Sequence, residues 1–414
     1  MKLRWILSGL IALPFLFSLH ARAQNAPSEI KIGTLYASSG PFASISMPVY
    51  DAFKLWIDET NASGGVFVKP YNKKIPIKLI SYDDQSNTAT AATLYNQLIT
   101  QDHVDLLVAD SGSVLTSVAV PIAREHKMFL FDVSGTGGTF FTKDNPYIAL
   151  MADPVSTIWP HYISDFLDDE GVKAGFKTVA ILYATNDFTG TQANALKGFF
   201  EKDGKLKIVY YQGVPTSTSN YTVLINNIAS LNPDAVLELG YVGNDIAFLR
   251  NLQDSGNKFR FVFSIYAGTE MDEIQKNVGV SAMTDIFSYV PASNYDYKPE
   301  VGMDRQQFKA AWDKKYPSGV AFGANAIYGY MTGLVIQQTL ATAEGMSQMD
   351  IHNAVFGLSG KLKTLDGTFE LNAEGAQIGE ITPLGQLQPN GKGGLNLVAV
   401  YPPDRANGKA TLGQ

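Results

Sequence analysis

Apolar and polar positions along the chain follow two alternating periods. Short apolar runs predict buried strands, and apolar residues spaced three or four apart predict amphipathic helices. Predicted strands in the first part are Ile30–Tyr36, Ile75–Tyr82, Leu106–Ala109, Met128–Phe131 and Tyr147–Met151. Predicted helices between them are Pro48–Thr60, Thr88–Thr100 and a segment carrying Val114, Val118, Ile122 and Ala123. The order strand, helix, strand therefore repeats throughout this part.

The same alternation restarts after residue 151. Its predicted strands are Thr178–Tyr183, Lys207–Tyr211, Ala235–Leu239 and Arg260–Ser264, and its helices are Val155–Leu167, Thr189–Phe200, Tyr221–Ser230 and Asp245–Leu252. Further helices are predicted at Asp304–Lys315, Ala324–Ala343 and Asp350–Phe356, before a strand-rich tail from Leu362 to Val400. Two successive runs of this kind predict an α/β protein with two doubly wound, Rossmann-like lobes. The later helices and strands are too few for a third core.

Two turns of small hydrogen-bonding residues follow neighbouring strands in the first part. One contains Ser111 and Ser113, and the other contains Ser134 and Thr136. In an open parallel sheet, ligands bind in the crevice at the carboxyl ends of the strands, and a helix start there favours a negative group. These four residues are candidates to bind a carboxylate or another acceptor group of a ligand. Ser, Thr and Gly also make ordinary turns and helix caps, so the pattern alone leaves a purely structural role open.

The N-terminus has the pattern of an export signal. Lys2 and Arg4 precede an apolar run that is short for a membrane span, and Ala21-Arg22-Ala23 fits a cleavage site. We therefore expect residues 1–23 to be a signal peptide and the protein to be periplasmic. Because the sequence has no cysteine, we expect no disulfide and no lipid anchor at that site.

Charge and motifs exclude several classes of function. The net charge is −7, and it becomes more negative without Lys2, Arg4 and Arg22, so nucleic acid and anionic membranes are poor partners. Histidines 103, 126, 161 and 352 lack metal-ligand spacing, and the motifs of zinc proteases, serine hydrolases and P-loops are absent. We expect no enzyme, no metal and no cofactor. An exported hydrolase is the weakest alternative.

Several short motifs occur in an order that resembles a known family. They are Ile32-Gly33 with Ser39-Gly40-Pro41, Asn61-Ala62-Ser63-Gly64-Gly65-Val66, Tyr82-Asp83-Asp84-Gln85-Ser86, Ala119-Val120-Pro121-Ile122-Ala123, Asn232-Pro233-Asp234-Ala235-Val236 and Leu365-Asp366-Gly367-Thr368-Phe369. Across nearly the whole chain after the signal, they resemble type I periplasmic solute-binding proteins. The branch most similar is that of the leucine/isoleucine/valine-binding proteins of ABC importers.

This resemblance implies two lobes joined by a three-segment hinge, with a ligand trapped between them. The N-terminal lobe would comprise residues 28–150 plus 280–360, and the C-terminal lobe residues 151–279 plus 361–400. It also implies a monomer that captures a small molecule and docks on an inner-membrane permease. A protein of the same fold that senses a ligand for a receptor remains an alternative, which the sequence does not separate from transport.

Site residues follow from the same resemblance. Ser113 matches the serine that holds the ligand carboxylate, and Ser134 and Thr136 match the second carboxylate-binding turn. Tyr241 matches a cleft tyrosine, and Phe188 stands where a tyrosine is usual. Both aromatic residues directly follow predicted strands, where a ring can cover an apolar ligand while polar groups hold its other end.

One departure from the family concerns the charge that neutralises a ligand ammonium. Amino-acid binders place a glutamate just after the strand that corresponds to Arg260–Ser264, whereas Tyr266 lies in that turn here and Glu270 is displaced. Burying an ammonium without a counter-charge costs several kcal/mol. Either Glu270 or Asp187 supplies that charge, or the ligand has no ammonium. The sequence favours the second possibility: a small carboxylic acid, aromatic or not, or an amide. A branched-chain amino acid is the alternative.

Overall fold

Two mainly parallel β-sheets, each covered by helices, organise the structure. The computed structural model describes residues 26–291, 294–317, 322–379 and 381–413, so the predicted signal peptide at 1–23 lies outside the described residues. Among the residues it describes, no helix is long and apolar enough to cross a membrane. The sheets correspond to the two predicted α/β lobes.

The first sheet is formed by the first part of the chain. Its strands and helices are β1 (Ile30–Tyr36), α1 (Ala43–Ala62), the hairpin β2 (Val66–Val68) and β3 (Lys73–Ile75), β4 (Ile77–Asp83), α2 (Thr88–Thr100), β5 (Leu106–Val108), α3 (Ser113–His126), β6 (Leu130–Asp132) and β7 (Ile148–Leu150). Five parallel strands pair in the order β4-β1-β5-β6-β7, so the order reverses at β1. The carboxyl ends of β5 and β6 consequently lie side by side.

The second sheet begins with the next part of the chain. This part contains α4 (His161–Phe166), β8 (Thr178–Ala184), α5 (Asp187–Asp203), β9 (Lys207–Val214), α6 (Thr222–Ser230), β10 (Ala235–Leu239), α7 (Val242–Ser255), β11 (Phe261–Ser264), three short helices α8 (Tyr266–Thr269), α9 (Met271–Val278) and α10 (Val280–Met283), and β12 (Phe287–Tyr289). Strands β8 to β12 are parallel, and each of β8, β10 and β11 ends at a turn on the same edge of the sheet.

The last part of the chain adds to both lobes. It contains α11 (Arg305–Lys315), α12 (Ala324–Thr342), α13 (Gln348–Leu358), β13 (Lys363–Thr364), β14 (Gly367–Thr368), β15 (Leu384–Pro389) and β16 (Leu395–Tyr401). Strands β15 and β16 extend the second sheet in antiparallel pairing, giving the order β16-β15-β12-β11-β10-β8-β9. Helix α12 instead packs against α1 of the first lobe.

The chain crosses between the lobes three times, but two crossings lie later than the predicted boundaries. The prediction puts residues 280–289 in the N-terminal lobe, yet β12 pairs with β11 and Phe287 lies in the second core. It puts residues from 361 in the C-terminal lobe, yet Leu365 and Phe369 lie in the first core. Apolar periodicity identifies a buried face without identifying the core that buries it, so it does not determine the lobe of these short segments.

Individual elements also depart from their predicted bounds for local reasons. The predicted strand Ile75–Tyr82 is divided into β3 and β4 by Pro76, which has no backbone N–H for the sheet ladder. The predicted helix Val155–Leu167 starts only at His161, after turns that carry Trp159. These turns belong to the first crossing, where tertiary contacts override helical spacing.

Close contact between α1 and α12 holds the first lobe together. A Cβ atom at Gly329 would lie 2.0 Å from the carbonyl oxygen of Val49, and one at Gly333 would lie 2.2 Å from the Trp56 ring. Both distances are far below ordinary van der Waals contact. The two glycines, one turn apart on α12, therefore allow the helix backbones to approach each other.

Buried carboxyl groups lie at the carboxyl ends of β4, β5 and β6. Asp84, Asp110 and Asp132 are each at most 2% exposed. Burial raises the pKa of Asp132 to about 8, although the N–H of Gly135 donates to its Oδ1 at 2.7 Å and opposes the shift. Burial, together with the neighbouring Asp84, likewise raises the pKa of Asp110 to about 8. The folded protein thus favours protonated forms of these groups.

We expect stability to fall as pH rises through this range. A carboxyl with a raised folded-state pKa binds more protons folded than unfolded, so the free energy of unfolding decreases between about pH 4 and pH 8. Each such group contributes at most about 1.4 kcal/mol per pH unit. Replacing Asp132 by Asn removes one group and should flatten the slope. Urea unfolding of wild type and D132N at pH 5 to 8 measures it, and parallel curves would contradict the assignment.

Candidate functional site: a cavity between the lobes

A cavity lies where the two sheets face each other. Its lining comes from turns at strand ends in both lobes and from the start of α12. The lining residues are Ile45, Ser111, Gly112, Ser113, Ser134, Asp153, Trp159, Phe188, Tyr241, Ile265, Tyr266, Thr269, Glu270, Ala324, Asn325 and Tyr328. One wall is rich in hydroxyls and the opposite wall is aromatic.

The hydroxyl-rich wall is formed by the start of α3 and the turn after β6. Ser111 Oγ and Ser134 Oγ are 3.0 Å apart, and Ser134 Oγ accepts a hydrogen bond from the N–H of Gly112 at 3.2 Å. Ser113 Oγ accepts from the N–H of Gly137 at 3.1 Å. Since the first turn of a helix leaves N–H groups without intrahelical partners, this wall suits a carboxylate.

A buried carboxyl beneath this wall holds the first turn in place. Asp110 Oδ1 accepts hydrogen bonds from the N–H of Ser111 at 2.6 Å and from Ser46 Oγ at 2.5 Å. The backbone N–H of Asp110 in turn donates to the hydroxyl of Tyr95 at 2.7 Å. The turn is therefore fixed to both α1 and α2, so its serines are held in position before any ligand arrives.

Four aromatic side chains of the second lobe form the opposite wall. Ring centroids are 5.3 Å apart for Trp159 and Phe188, 5.4 Å for Phe188 and Tyr241, and 6.1 Å for Tyr241 and Tyr266. Separations of this size are typical of packed aromatic pairs. The rings form a continuous apolar surface against which a flat or branched ligand body can pack.

Local hydrogen bonds explain how these aromatic residues are positioned. Asn186 caps α5 by accepting from the N–H of Phe188 at 3.0 Å, which fixes that residue at the helix start. Asn244 Oδ1 accepts from the N–H of Tyr241 at 3.1 Å. Asp245 Oδ2 accepts from the N–H of Tyr266 at 2.6 Å. Polar residues at the starts of α5 and α7 thus hold three of the four rings.

The lobes touch each other around the cavity. Phe42 of the first lobe meets Tyr241 of the second with ring centroids 5.1 Å apart. Asn325 Nδ2 donates to Glu270 Oε1 at 2.7 Å, and Thr139 Oγ1 donates to Asp187 Oδ1 at 2.8 Å. The structure therefore represents a closed arrangement of the two lobes.

Three polar atoms in the cavity lining are buried without a hydrogen-bond partner among the described residues. They are Trp159 Nε1, the Tyr241 hydroxyl and Thr269 Oγ1. Leaving such groups unpaired costs about 1–3 kcal/mol each, so they usually mark a place where something else binds. Burial raises the pKa of Tyr241, while the N–H groups of Ser113 and Val114 face its hydroxyl and oppose the shift. The aromatic side of the cavity is thus mainly apolar, but it contains polar groups that can hydrogen-bond to a ligand.

Two acidic side chains also line the cavity. Burial raises the pKa of Glu270 to about 7, with a further contribution from Glu273. Burial also raises the pKa of Asp153 to about 7. No Lys or Arg is among the described lining residues. The cavity can therefore provide acceptors or, when these carboxyls are protonated, donors, but no positive side chain.

Comparison with known proteins identifies the fold and the family. The sequence model of the periplasmic binding protein family matches residues 29–392, most of the chain. The chain belongs to this family. The family consists of binding proteins and not of enzymes.

Individual relatives are distant but cover nearly the whole binding protein. The Leu/Ile/Val-binding protein homolog 7 of Brucella abortus is 23% identical over 410 residues, covering 96% of this chain and 97% of the relative. A leucine-binding protein from Thermotoga maritima matches at a TM-score of 0.72 with 16% identity, covering 91% of this chain and 99% of its own. A solute-binding protein from R. palustris in complex with benzoate matches at 0.71 with 17% identity, covering 93% and 99%. These structures share the fold.

Most of the residues predicted from the sequence line the cavity of the binding protein. They are Ser111, Ser113, Ser134, Phe188, Tyr241 and Tyr266. Thr136 does not line it, because its hydroxyl is buried 2.8 Å from Ser156 Oγ. Of the two candidate counter-charges, Glu270 lines the cavity, whereas Asp187 lies outside it. Glu270 lies one helical turn after Tyr266, so it remains a candidate counter-charge although it does not stand in the turn directly after β11.

Sequence analysis missed the lining residues near the crossings. They are Asp153, Trp159, Thr269, Asn325 and Tyr328. Asp153 carried a usable signal, because it follows the predicted strand Tyr147–Met151 just as Phe188 and Tyr241 follow theirs. Tyr328 carried none, since it lies in a helix whose residues from 326 to 336 are all buried. Among the described residues, no group of three or more His, Asp or Glu could hold a metal ion.

Proposed function

We propose that this protein is the periplasmic solute-binding component of a branched-chain-amino-acid-type ABC importer and captures a small carboxylate-bearing ligand by lobe closure. The supporting observation is one cavity that joins a hydroxyl-lined helix start to four packed rings and leaves three polar groups unpartnered among the described residues. A small apolar body with one charged end complements such a cavity.

Capture proceeds in two steps in this proposal. The ligand carboxylate first binds the hydroxyls and N–H groups around Ser113, which the first lobe holds ready. The second lobe then closes and brings Phe188 and Tyr241 over the apolar body. Ligand binding favours closure only to the extent that the ligand contacts both lobes. The closed shape is then the form presented to the membrane permease.

Two ligand classes fit this description, and a single residue separates them. A carboxylic acid without an amino group, such as an aromatic acid, needs no counter-charge. A hydrophobic or branched-chain amino acid is the second candidate, and the place of Glu270 in the lining favours it. One oxygen of Glu270 accepts from Asn325, and an ionised carboxylate there would neutralise an ammonium at short range.

Matched ligands that differ only in the amino group test the two classes. The pairs are leucine with 4-methylpentanoate and phenylalanine with 3-phenylpropionate, and benzoate extends the panel. Thermal unfolding is followed with each compound. A ligand at about a hundred times its dissociation constant stabilises by roughly 2.7 kcal/mol, which is easily measured. We expect at least one carboxylate of the panel to stabilise the protein.

Replacing Glu270 by Gln assigns the class. If the amino acids bind, E270Q should weaken them at least about tenfold and leave the deaminated partners nearly unchanged, because the amide carries no charge. If the deaminated acids bind, E270Q should have little effect. Stabilisation by none of the carboxylates, repeated by calorimetry at millimolar ligand, would contradict the proposed function.

A further inference from the structure

Asp153 occupies an unusual position at the first crossing between the lobes. It follows β7, and its backbone φ of 52° lies in the left-handed region, which is uncommon for a residue other than glycine. Its side chain lines the ligand cavity and also a smaller cavity between the crossings, which Tyr295, Asp366 and Arg405 help to form. A residue is held in such a conformation only when its surroundings fix it from several sides.

Only one of the two oxygens of this buried carboxyl accepts a hydrogen bond from a described residue. The N–H of Asp153 donates to Asp366 Oδ2 at 3.2 Å, and Tyr328 donates its hydroxyl to Asp153 Oδ1 at 2.7 Å. Asp153 is 7% exposed, and its Oδ2 has no hydrogen-bond partner in the part of the chain that the structure describes. Tyr328 thus holds the carboxyl in place beside the ligand cavity that Asp153 lines, and the second oxygen is left to accept from a further donor.

The composition of the lining limits what Asp153 can bind. The described lining of the ligand cavity contains no Lys or Arg, so no cation on that side neutralises this carboxyl. A donor that approaches a carboxylate oxygen without a partner gains a strong, charge-assisted bond. The complementary chemistry is a hydroxyl or amino group on the ligand itself.

We propose that Asp153 forms a second polar subsite of the ligand cavity and accepts a hydrogen bond from a donor group remote from the ligand carboxylate. The ligand class is therefore a bifunctional acid, with its carboxylate near Ser113 and a hydroxyl or amino group at Asp153. This inference rests on the proposed capture of a carboxylate, and it adds the second functional group and the residue that selects for it.

Substituted acids provide the probes for this subsite. Benzoate and 3-phenylpropionate are each compared with their 3- and 4-hydroxy and 3- and 4-aminomethyl derivatives by isothermal titration calorimetry. At least one derivative should bind wild type about tenfold or more tightly than its parent acid. Parent acids that bind as tightly as every derivative would overturn the subsite while leaving carboxylate capture intact.

The variant Asp153→Asn tests whether this residue is responsible. Asparagine tolerates the left-handed conformation and keeps an oxygen for Tyr328, so the fold should be retained. Its amide nitrogen replaces the free acceptor by a donor, so the ratio of the affinities for an aminomethyl derivative and its parent acid should fall to about one. A preference that survives in D153N would overturn the inference.

Two controls separate other causes. Asp187→Asn makes the same chemical change outside the cavity, and it should alter the binding of parent and derivative equally. Tyr328→Phe frees Asp153 Oδ1 without removing the carboxyl, so the preference for donors should persist. If no acid of either series binds wild type, the proposed function itself fails and this inference fails with it, a result distinct from uniform binding of all acids.

Discussion

Replacing Tyr241 by Ala should open the cleft and weaken ligand binding about 100-fold. The ring packs against Phe42 of the opposite lobe and against Phe188 and Tyr266 of its own, so it contributes both to the cavity wall and to contact between the lobes. Truncation of a buried aromatic residue typically costs about 3–5 kcal/mol. Loss of about 3 kcal/mol from the closed, liganded form corresponds to roughly two powers of ten in the dissociation constant.

Small-angle scattering and calorimetry together measure this effect. The radius of gyration of Y241A without ligand should exceed that of wild type, because Phe42 loses its partner across the cleft. Tyr241→Phe is the matched control: it keeps the ring and removes only the unpartnered hydroxyl, so scattering should match wild type and affinity should change by less than about tenfold. Identical scattering and affinity for Y241A and wild type would refute the role assigned to this ring.

Replacing Gly329 by Ala should destabilise the first lobe by about 3 kcal/mol or more. The added Cβ would lie 2.0 Å from the carbonyl oxygen of Val49, and the atom it meets belongs to the backbone of α1 and not to a flexible side chain. Helices α1 and α12 must therefore separate. Overpacking in cores costs about 1–3 kcal/mol when side chains can adjust, and backbone displacement adds to this.

A second glycine in a helix provides the control for this substitution. Gly198 lies in α5 and is exposed, and a Cβ atom added there would meet no neighbouring atom within 4 Å. Gly198→Ala should therefore stabilise by about 0.5–1 kcal/mol through helix propensity. Urea unfolding monitored by far-UV circular dichroism compares the two variants. Equal stability of G329A and wild type would show that the close contact between α1 and α12 is not required.

The sequence predicted the strand-end residues of the site because one rule governs them all. Parallel strands end at the same edge of a sheet, so topology brings Ser111 and Ser134 together in the first sheet and Phe188 and Tyr241 together in the second. The same rule placed Thr136 near the cavity but did not determine the direction of its side chain. In the structure Asp132 accepts from the N–H of Gly135 and turns the chain, so the Thr136 hydroxyl bonds to Ser156.

The same rule could not predict the site residues near the crossings, because these residues are far apart in the sequence and meet only in the folded structure. Tyr328 and Asp153 are 175 positions apart, and their contact depends on how α12 packs on the first lobe. The boundaries of the lobes failed for the same reason, since β12 and the β13–β14 hairpin are too short to carry a pattern of their own. Periodicity predicts elements well and the packing partner of each element poorly.

Two contacts between the lobes lie outside the cavity, so the residues that join the lobes there are not the residues that line the ligand site. Thr139 reaches Asp187 at 2.8 Å, and the N–H of Gly138 reaches Thr191 Oγ1 at 3.3 Å, but none of these four residues lines the ligand cavity. Their geometry does not depend directly on the side chains that line the cavity. Mutations in the walls can therefore exchange one cargo for another while the outer surface of the joined lobes is preserved. A protein built on this plan can change its ligand without changing the shape that its closed lobes present.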